Sequence, residues 1–337
     1  MGYELSPKEL GALFAKLSET YDIYAPVVKT GEGTFSDVDV IRYDLVHSPD
    51  EIEWDKRSDY SFKEVLLPIN ETLFYFTEDE TTVPKGPDKD RIIFLRSCDI
   101  HAVKRLDQIY LKNGFEDFYY SRIREKTHFA LMGCPSDCSG GFCASLGTNK
   151  TDEYELYISI RGDKVLADVK GHEFDTYFKG FSSANVTPDF VKSNDEKVTV
   201  PKNLPKDVID NPIWNEYGGR CITCGRCNFA CPTCTCFTMQ DIFYKDNENV
   251  GERRRIWASC QVDGYTDIAG GHGFRDDKGS RMRFKVMHKI YDFEKRFGYP
   301  MCVGCGRCDS ICPEYISYKN IVNRLAAEYD NTNKEGR

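Results

Sequence analysis

This 337-residue chain lacks the marks of several common protein classes. No apolar run is long enough to cross a bilayer, and the opening stretch MGYELSPKEL has no basic segment leading into an apolar one, so neither a membrane span nor a secretory leader is expected. Gly2 and Ser6 fit a myristoylation pattern too short to carry weight. There is no GxGxxG loop and no Walker sequence, which places nucleotide and flavin binding on other chains. Heptads and low-complexity tracts are missing. Only six histidines occur, and His272, between Gly271 and Gly273, has no ligand or acid–base companion in sequence, so a hydrogen-bonded turn is expected of it. The formal charge of −9 gives no basic excess and argues against nucleic acid as a partner.

Cysteine, by contrast, is abundant. Fifteen would suggest a disulfide scaffold in a short secreted protein, but the number is odd, the chain is long, and eight of them fall in metal-ligand spacing. A reducing, cytoplasmic setting follows. The eight form two runs, Cys221-x2-Cys224-x2-Cys227-x3-Cys231-Pro232 and Cys302-x2-Cys305-x2-Cys308-x3-Cys312-Pro313. Three thiolates at two-residue spacing can surround one iron–sulfur cube, while the fourth, set back before proline, serves the other. Cys221, Cys224, Cys227 and Cys312 are therefore expected to hold one [4Fe–4S] cluster, and Cys302, Cys305, Cys308 and Cys231 a second. The competing reading is a pair of structural zinc knuckles, which need no fourth Cys before Pro in each run. Gly225-Arg226 and Gly306-Arg307 repeat inside the runs as CGRC, and glycine there lets the chain approach inorganic sulfide.

Length allows two domains. Residues 1–205 read as an α/β domain and residues 206–337 as a mainly α-helical ferredoxin-like domain interrupted by an insertion at 232–301. Ser6 and Glu9 make a capping box for a helix carrying Leu10, Leu13, Phe14 and Leu17. Strands are predicted at Val38–Leu45, Val65–Leu67, Thr72–Phe76, Arg91–Leu95, Thr127–Met132 and Tyr154–Ile160, with a helix after Arg96-Ser97-Cys98-Asp99. If the strands ending at Leu95 and Met132 are parallel neighbours, the loops after them leave one edge of the sheet, and Cys98, Cys134, Cys138 and Cys143 converge. Four thiols are what a third [4Fe–4S] cluster requires, and Gly140 and Gly141 would let backbone near its sulfides; buried packing cysteines are the alternative. Asp99 is a further candidate ligand or hydrogen-bond acceptor there.

Cys234, Cys236 and Cys260 remain, and are expected to pack near a cluster. Arg253, Arg254 and Arg255 read as a solvated face or subunit contact because acids nearly cancel them. The denser basic stretch Lys278, Arg281, Arg283, Lys285 and Lys289 could offset cluster charge or meet an acidic partner.

The stretches FSDVDVIRY, PINETLFYF, FLRSCDIHAVKRLD, FCASLGTNKTD, RCITCGRCNFACPTCTC, GERRRIWASC, AGGHGFR and MCVGCGRCDSICP closely resemble the A subunits of anaerobic sulfite reductases. These belong to a broad dicluster iron–sulfur family that also includes sulfhydrogenase beta subunits. The resemblance runs nearly end to end. It implies a hetero-oligomer in which a flavin subunit oxidises NADH, this chain relays electrons without catalysing a reaction, and a sirohaem subunit reduces sulfite to sulfide. The alternative is the electron-transfer beta subunit of a sulfhydrogenase.

Overall fold

Apolar residues run without a break through Ile92–Leu95 and Phe129–Met132, and each strand sends alternate side chains to opposite faces. Ile92, Phe94, Ala130 and Met132 face one core, whereas Ile93, Leu95, Phe129 and Leu131 face another. The computed structural model, which describes residues 1–33, 37–202, 204–244 and 247–332, therefore has a sheet buried on both sides. Phe35 and Ser36 of the FSDVDVIRY stretch, and the last five residues, lie outside the described set.

The sheet has eight strands in the order 182–183, 2–5, 164–169, 156–161, 127–132, 90–95, 21–29 and 40–45. The four from 156–161 to 21–29 are mutually parallel and the outer ones antiparallel. Helix Pro7–Thr20 covers one face through Leu10, Leu13, Phe14 and Leu17. Its capping box is formed as expected, with Glu9 N donating to Ser6 Oγ at 3.3 Å and Ser6 N to Glu9 Oε2 at 2.7 Å. Helix Ser97–Tyr110 covers the other face with Ile100, Val103, Leu106 and Tyr110. Because strands 90–95 and 127–132 are parallel neighbours, the Cys98 and Cys134 loops do leave the same edge.

Three features depart from expectation. Residues 63–66 form a helical turn, not a strand at 65–67, because Leu67 N bonds back to Lys63 O at 2.7 Å. Strand Tyr21–Lys29 was missed; Pro26 lies within it. The helical description suits the C-terminal part only in part. It contains helices Ile213–Arg220, Lys278–Met287 and Tyr318–Thr332, packed through Trp214, Tyr217, Met282, Val286, Ile321 and Leu325, but the insertion also builds a long hairpin from strands 237–244 and 247–257. That hairpin joins strand 70–76 of the N-terminal part, so a four-stranded antiparallel sheet crosses position 205. No helix among the described residues is long and apolar enough to cross a membrane.

Candidate metal centres

The two cysteine runs fold as near copies. Gly225 and Gly306, at φ 74° and 73°, open the short helices 226–229 and 307–310, which lie against one another. The second residue between the first two cysteines of each run is also left-handed, Thr223 at φ 60° and Gly304 at φ 67°. This curl lets Thr223 N donate to Cys221 Sγ and Gly304 N to Cys302 Sγ, both at 3.4 Å, and Ile316 N does the same for Cys312 at 3.4 Å. Such bonds favour the anionic sulfur a metal requires.

Cys221, Cys224, Cys227 and Cys312 line one cavity of about 500 Å³. In the second group Cys231 lies near enough to Cys302, Cys305 and Cys308 for a charge on its sulfur to act on all three. The structure thus brings each set-back cysteine to the opposite run. Cys98, Cys134, Cys138 and Cys143 line a third cavity of about 370 Å³. Cys98 enters it from the first turn of helix Ser97–Tyr110, and Cys134 is held by its own N–H to Asp189 O at 2.9 Å. Cys143 is oriented by Asn194, whose Oδ1 also accepts Ala144 N at 2.8 Å.

The three groups lie in a row. Cys308 also lines the first cavity and Cys305 lines the third, so the 302–308 loop is shared between its neighbours. Gly304 and Gly306 make that possible. A Cβ on Gly304 would sit 2.7 Å from the Phe142 carbonyl, and one on Gly306 would sit 2.2 Å from Gly140 O. Close passage of the 140–143 loop, rather than approach to sulfide alone, demands glycine at both positions.

Buried charge surrounds the groups. Arg307 and Asp99, each 1% exposed, form a two-pronged ion pair at 2.6 and 3.0 Å, and Arg307 Nε donates to Ser58 O at 2.9 Å. Asp99 is thereby taken up by Arg307 and is not a ligand candidate. Lys285 and Lys289 are buried where the sequence suggested an offset to cluster charge. Burial works against the charged form of Lys285, yet Cys227 and Cys308 beside it hold its ammonium well above the usual range. Lys289 Nζ donates to Thr233 Oγ1 at 2.8 Å. Lys63, which sequence reasoning missed, donates to Cys234 O at 2.9 Å and lies 3.9 Å from the Trp257 ring centre. Arg57 and Arg96, also missed, line the third cavity; Arg96 is locked by bonds to Gly133 O at 2.9 Å and Trp54 O at 2.7 Å. Single basic residues scattered over the N-terminal part carry no spacing that could have revealed them.

The other basic candidates serve the fold. Arg255, 5% exposed, pairs with Glu71 at 2.8 Å and Asp117 at 2.6 Å, so it is neither a solvated face nor a subunit contact. Alternation along the strand leaves Arg253 outside, bound to Asp241. His272 is exposed in a two-residue strand.

Donor chemistry and spacing both fit an iron–sulfur cluster. Among the described residues lining the third cavity there is no carboxylate and no imidazole. No three described cysteine sulfurs lie within 4.8 Å of one another, the one such ligand group being His128, Glu155 and Glu173 at the sheet. A single zinc ion bonded to sulfur at about 2.3 Å would draw its thiolates to about 3.8 Å apart. Burial pushes the Cys98 and Cys308 thiols well up and that of Cys302 up to about 12, so metal binding must release their protons.

These features define an iron–sulfur electron-transfer protein: residues 220–316 match the family described as a 4Fe-4S dicluster domain. The chain is 30% identical over 332 residues to "Sulfhydrogenase 2 subunit beta" of Pyrococcus furiosus, covering 93% of this chain and 94% of that one. It belongs to the family of sulfhydrogenase beta subunits. No solved structure matches it.

Proposed function

We propose that this chain is the electron-relay subunit of a sulfhydrogenase-type complex, with cysteine groups that hold three [4Fe–4S] clusters in line. The row of cavities, joined through Cys308 on one side and Cys305 on the other, is the observation that carries this reading. Bound [4Fe–4S] clusters supply one-electron carriers that change charge without breaking ligand bonds. The chain contributes the thiolates, the amide bonds to sulfur and the buried Lys285, Lys289 and Arg307 that balance negative charge. On this reading it binds no substrate of its own and works within a hetero-oligomer, as the name of the Pyrococcus furiosus relative states for that subunit. The division into residues 1–205 and 206–337 is part of the proposal, with the 237–257 hairpin binding the two parts together.

The motifs GTNKTD, CPTCTC and GERRRIWASC support a second reading, an anaerobic sulfite reductase complex with flavin and sirohaem subunits. Both readings share this subunit's chemistry and differ in its partners. Anaerobic co-purification separates them: a nickel-containing partner supports the sulfhydrogenase reading, and a partner with sirohaem absorption overturns it for the second. Stoichiometric zinc with little iron in the isolated chain would sink both.

A further inference from the structure

Two cysteines stand outside the three groups and face each other. Cys236 ends the CPTCTC run just before strand 237–244, and Cys260 follows strand 247–257. Antiparallel pairing of Phe237 with Trp257 is continued by Ala258 N, which donates to Cys236 O at 3.0 Å and draws the two segments together at the hairpin's base. There the two thiols are in hydrogen-bond contact, and the Tyr265 hydroxyl bonds Cys236 as well. Cys260 is 4% exposed, while Cys236 is partly open to solvent. Cys234 differs from both, because its partner is Cys231 and it belongs with the second group.

A single buried side chain connects this pair to the first group. Asn228, 1% exposed, donates from Nδ2 to Cys260 Sγ at 3.0 Å and accepts at Oδ1 from the Cys227 thiol at 3.7 Å. Gln261, next to Cys260, lines the first cavity. Thiols set side by side, one reachable and one protected, match the division into attacking and resolving cysteines that thiol–disulfide exchange needs.

We propose that Cys236 and Cys260 form a redox-active dithiol–disulfide pair that reduces small disulfides with electrons drawn from the first group. Cys236 attacks a small disulfide RSSR, releasing one RSH and leaving a mixed disulfide on Cys236. Cys260 then attacks Cys236 Sγ, an S–S bond forms between the two residues, and the second RSH leaves. The two thiol protons of the chain pass to the two leaving sulfurs, so atoms and electrons balance. Restoring the dithiol takes two protons from water and two electrons, delivered singly from a [4Fe–4S] cluster held by Cys221, Cys224, Cys227 and Cys312. That last step rests on the reading given above; closure of the bond does not.

The test uses the full chain, purified anaerobically with its iron, with oxidised glutathione as the probe. After exposure, acid quenching and alkylation, peptide masses should show Cys236 joined to Cys260, lighter by two hydrogens, with iron content retained. Cys260→Ser should trap glutathione on Cys236, and Cys236→Ser should leave Cys260 unmodified. A photochemical one-electron donor should reopen the link in the iron-loaded chain and not in the iron-free one. Both thiols alkylated to the same extent before and after exposure would overturn the proposal, as would loss of iron in Cys260→Ser, which would make that residue a ligand. Peptide masses report this pair and iron content reports the clusters, so the two readings fail separately.

Discussion

Arg307 and Asp99 show what a single residue inside a cluster loop can do besides flank ligands. Both ends of the pair are buried, and they tie the second CGRC run to the turn carrying Cys98. Removing one partner of such a pair leaves an uncompensated charge, a loss of roughly 3–5 kcal/mol. Arg307→Ala should therefore lower thermal stability sharply, and Arg307→Lys should recover little, because one ammonium cannot match the two-pronged guanidinium. An Asp99→Leu/Arg307→Met double variant should recover much of the loss, since it strands no charge; equal instability of the single and double variants would count against the ion pair. Lys285 acts by charge alone. At an effective dielectric of about 20, a buried charge about 6 Å away is worth about 3 kcal/mol, on the order of 100 mV for a one-electron couple. Lys285→Met should shift the midpoint potentials of the clusters beside Cys227 and Cys308 downward, as followed by EPR redox titration. Unchanged potentials would reduce Lys285 to a packing role.

Among the elements, the 237–257 hairpin is the part whose attachment responds to pH. Glu252, on the inner strand, is held down to about 2 by Arg254 and by the Thr72 hydroxyl at 2.5 Å, with Tyr244 adding a bond at 3.1 Å. A carboxyl whose folded pKa is depressed stabilises the fold above its unfolded value of about 4.5, and that contribution is lost as pH falls towards about 2. Amide protection across 250–257, corrected for intrinsic exchange, should weaken over that window. Glu252→Gln should show the weakened protection already at neutral pH; wild-type protection in that variant would refute the assignment.

Element by element, local chemistry was readable in the sequence and long-range pairing was not. The capping box, the buried strand Arg91–Leu95 and the loops that follow parallel neighbours are local patterns, and they placed Cys98 and Cys134 at one edge. The hairpin's partner, strand 70–76, lies far away in the chain, and nothing in GERRRIWASC discloses that Arg255 will meet Glu71 and Asp117 across that distance. The same holds for Gly304 and Gly306. Their spacing suggested metal binding, but the Phe142 and Gly140 carbonyls that make a side chain impossible there come from a loop of the N-terminal part.

On the scale of the whole molecule, the α/β part works as one end of a conductor and the dicluster part as the remainder. The third cavity takes all its cysteines from two loops of the sheet's edge, yet Cys305 lies on its wall, so electrons leaving the second group have a next stop only if that cavity holds a cluster. Cys134→Ser should therefore lower iron by about a third, from about twelve to about eight atoms per chain, and leave the other two clusters spectroscopically intact. Transfer to whichever partner docks on the N-terminal side should fall much further than iron does, because a row of carriers fails when its last member is missing. Unchanged iron in Cys134→Ser would mean that the four thiols only fill space and that the row ends at Cys305, with the buried Arg307–Asp99 pair then serving stability alone.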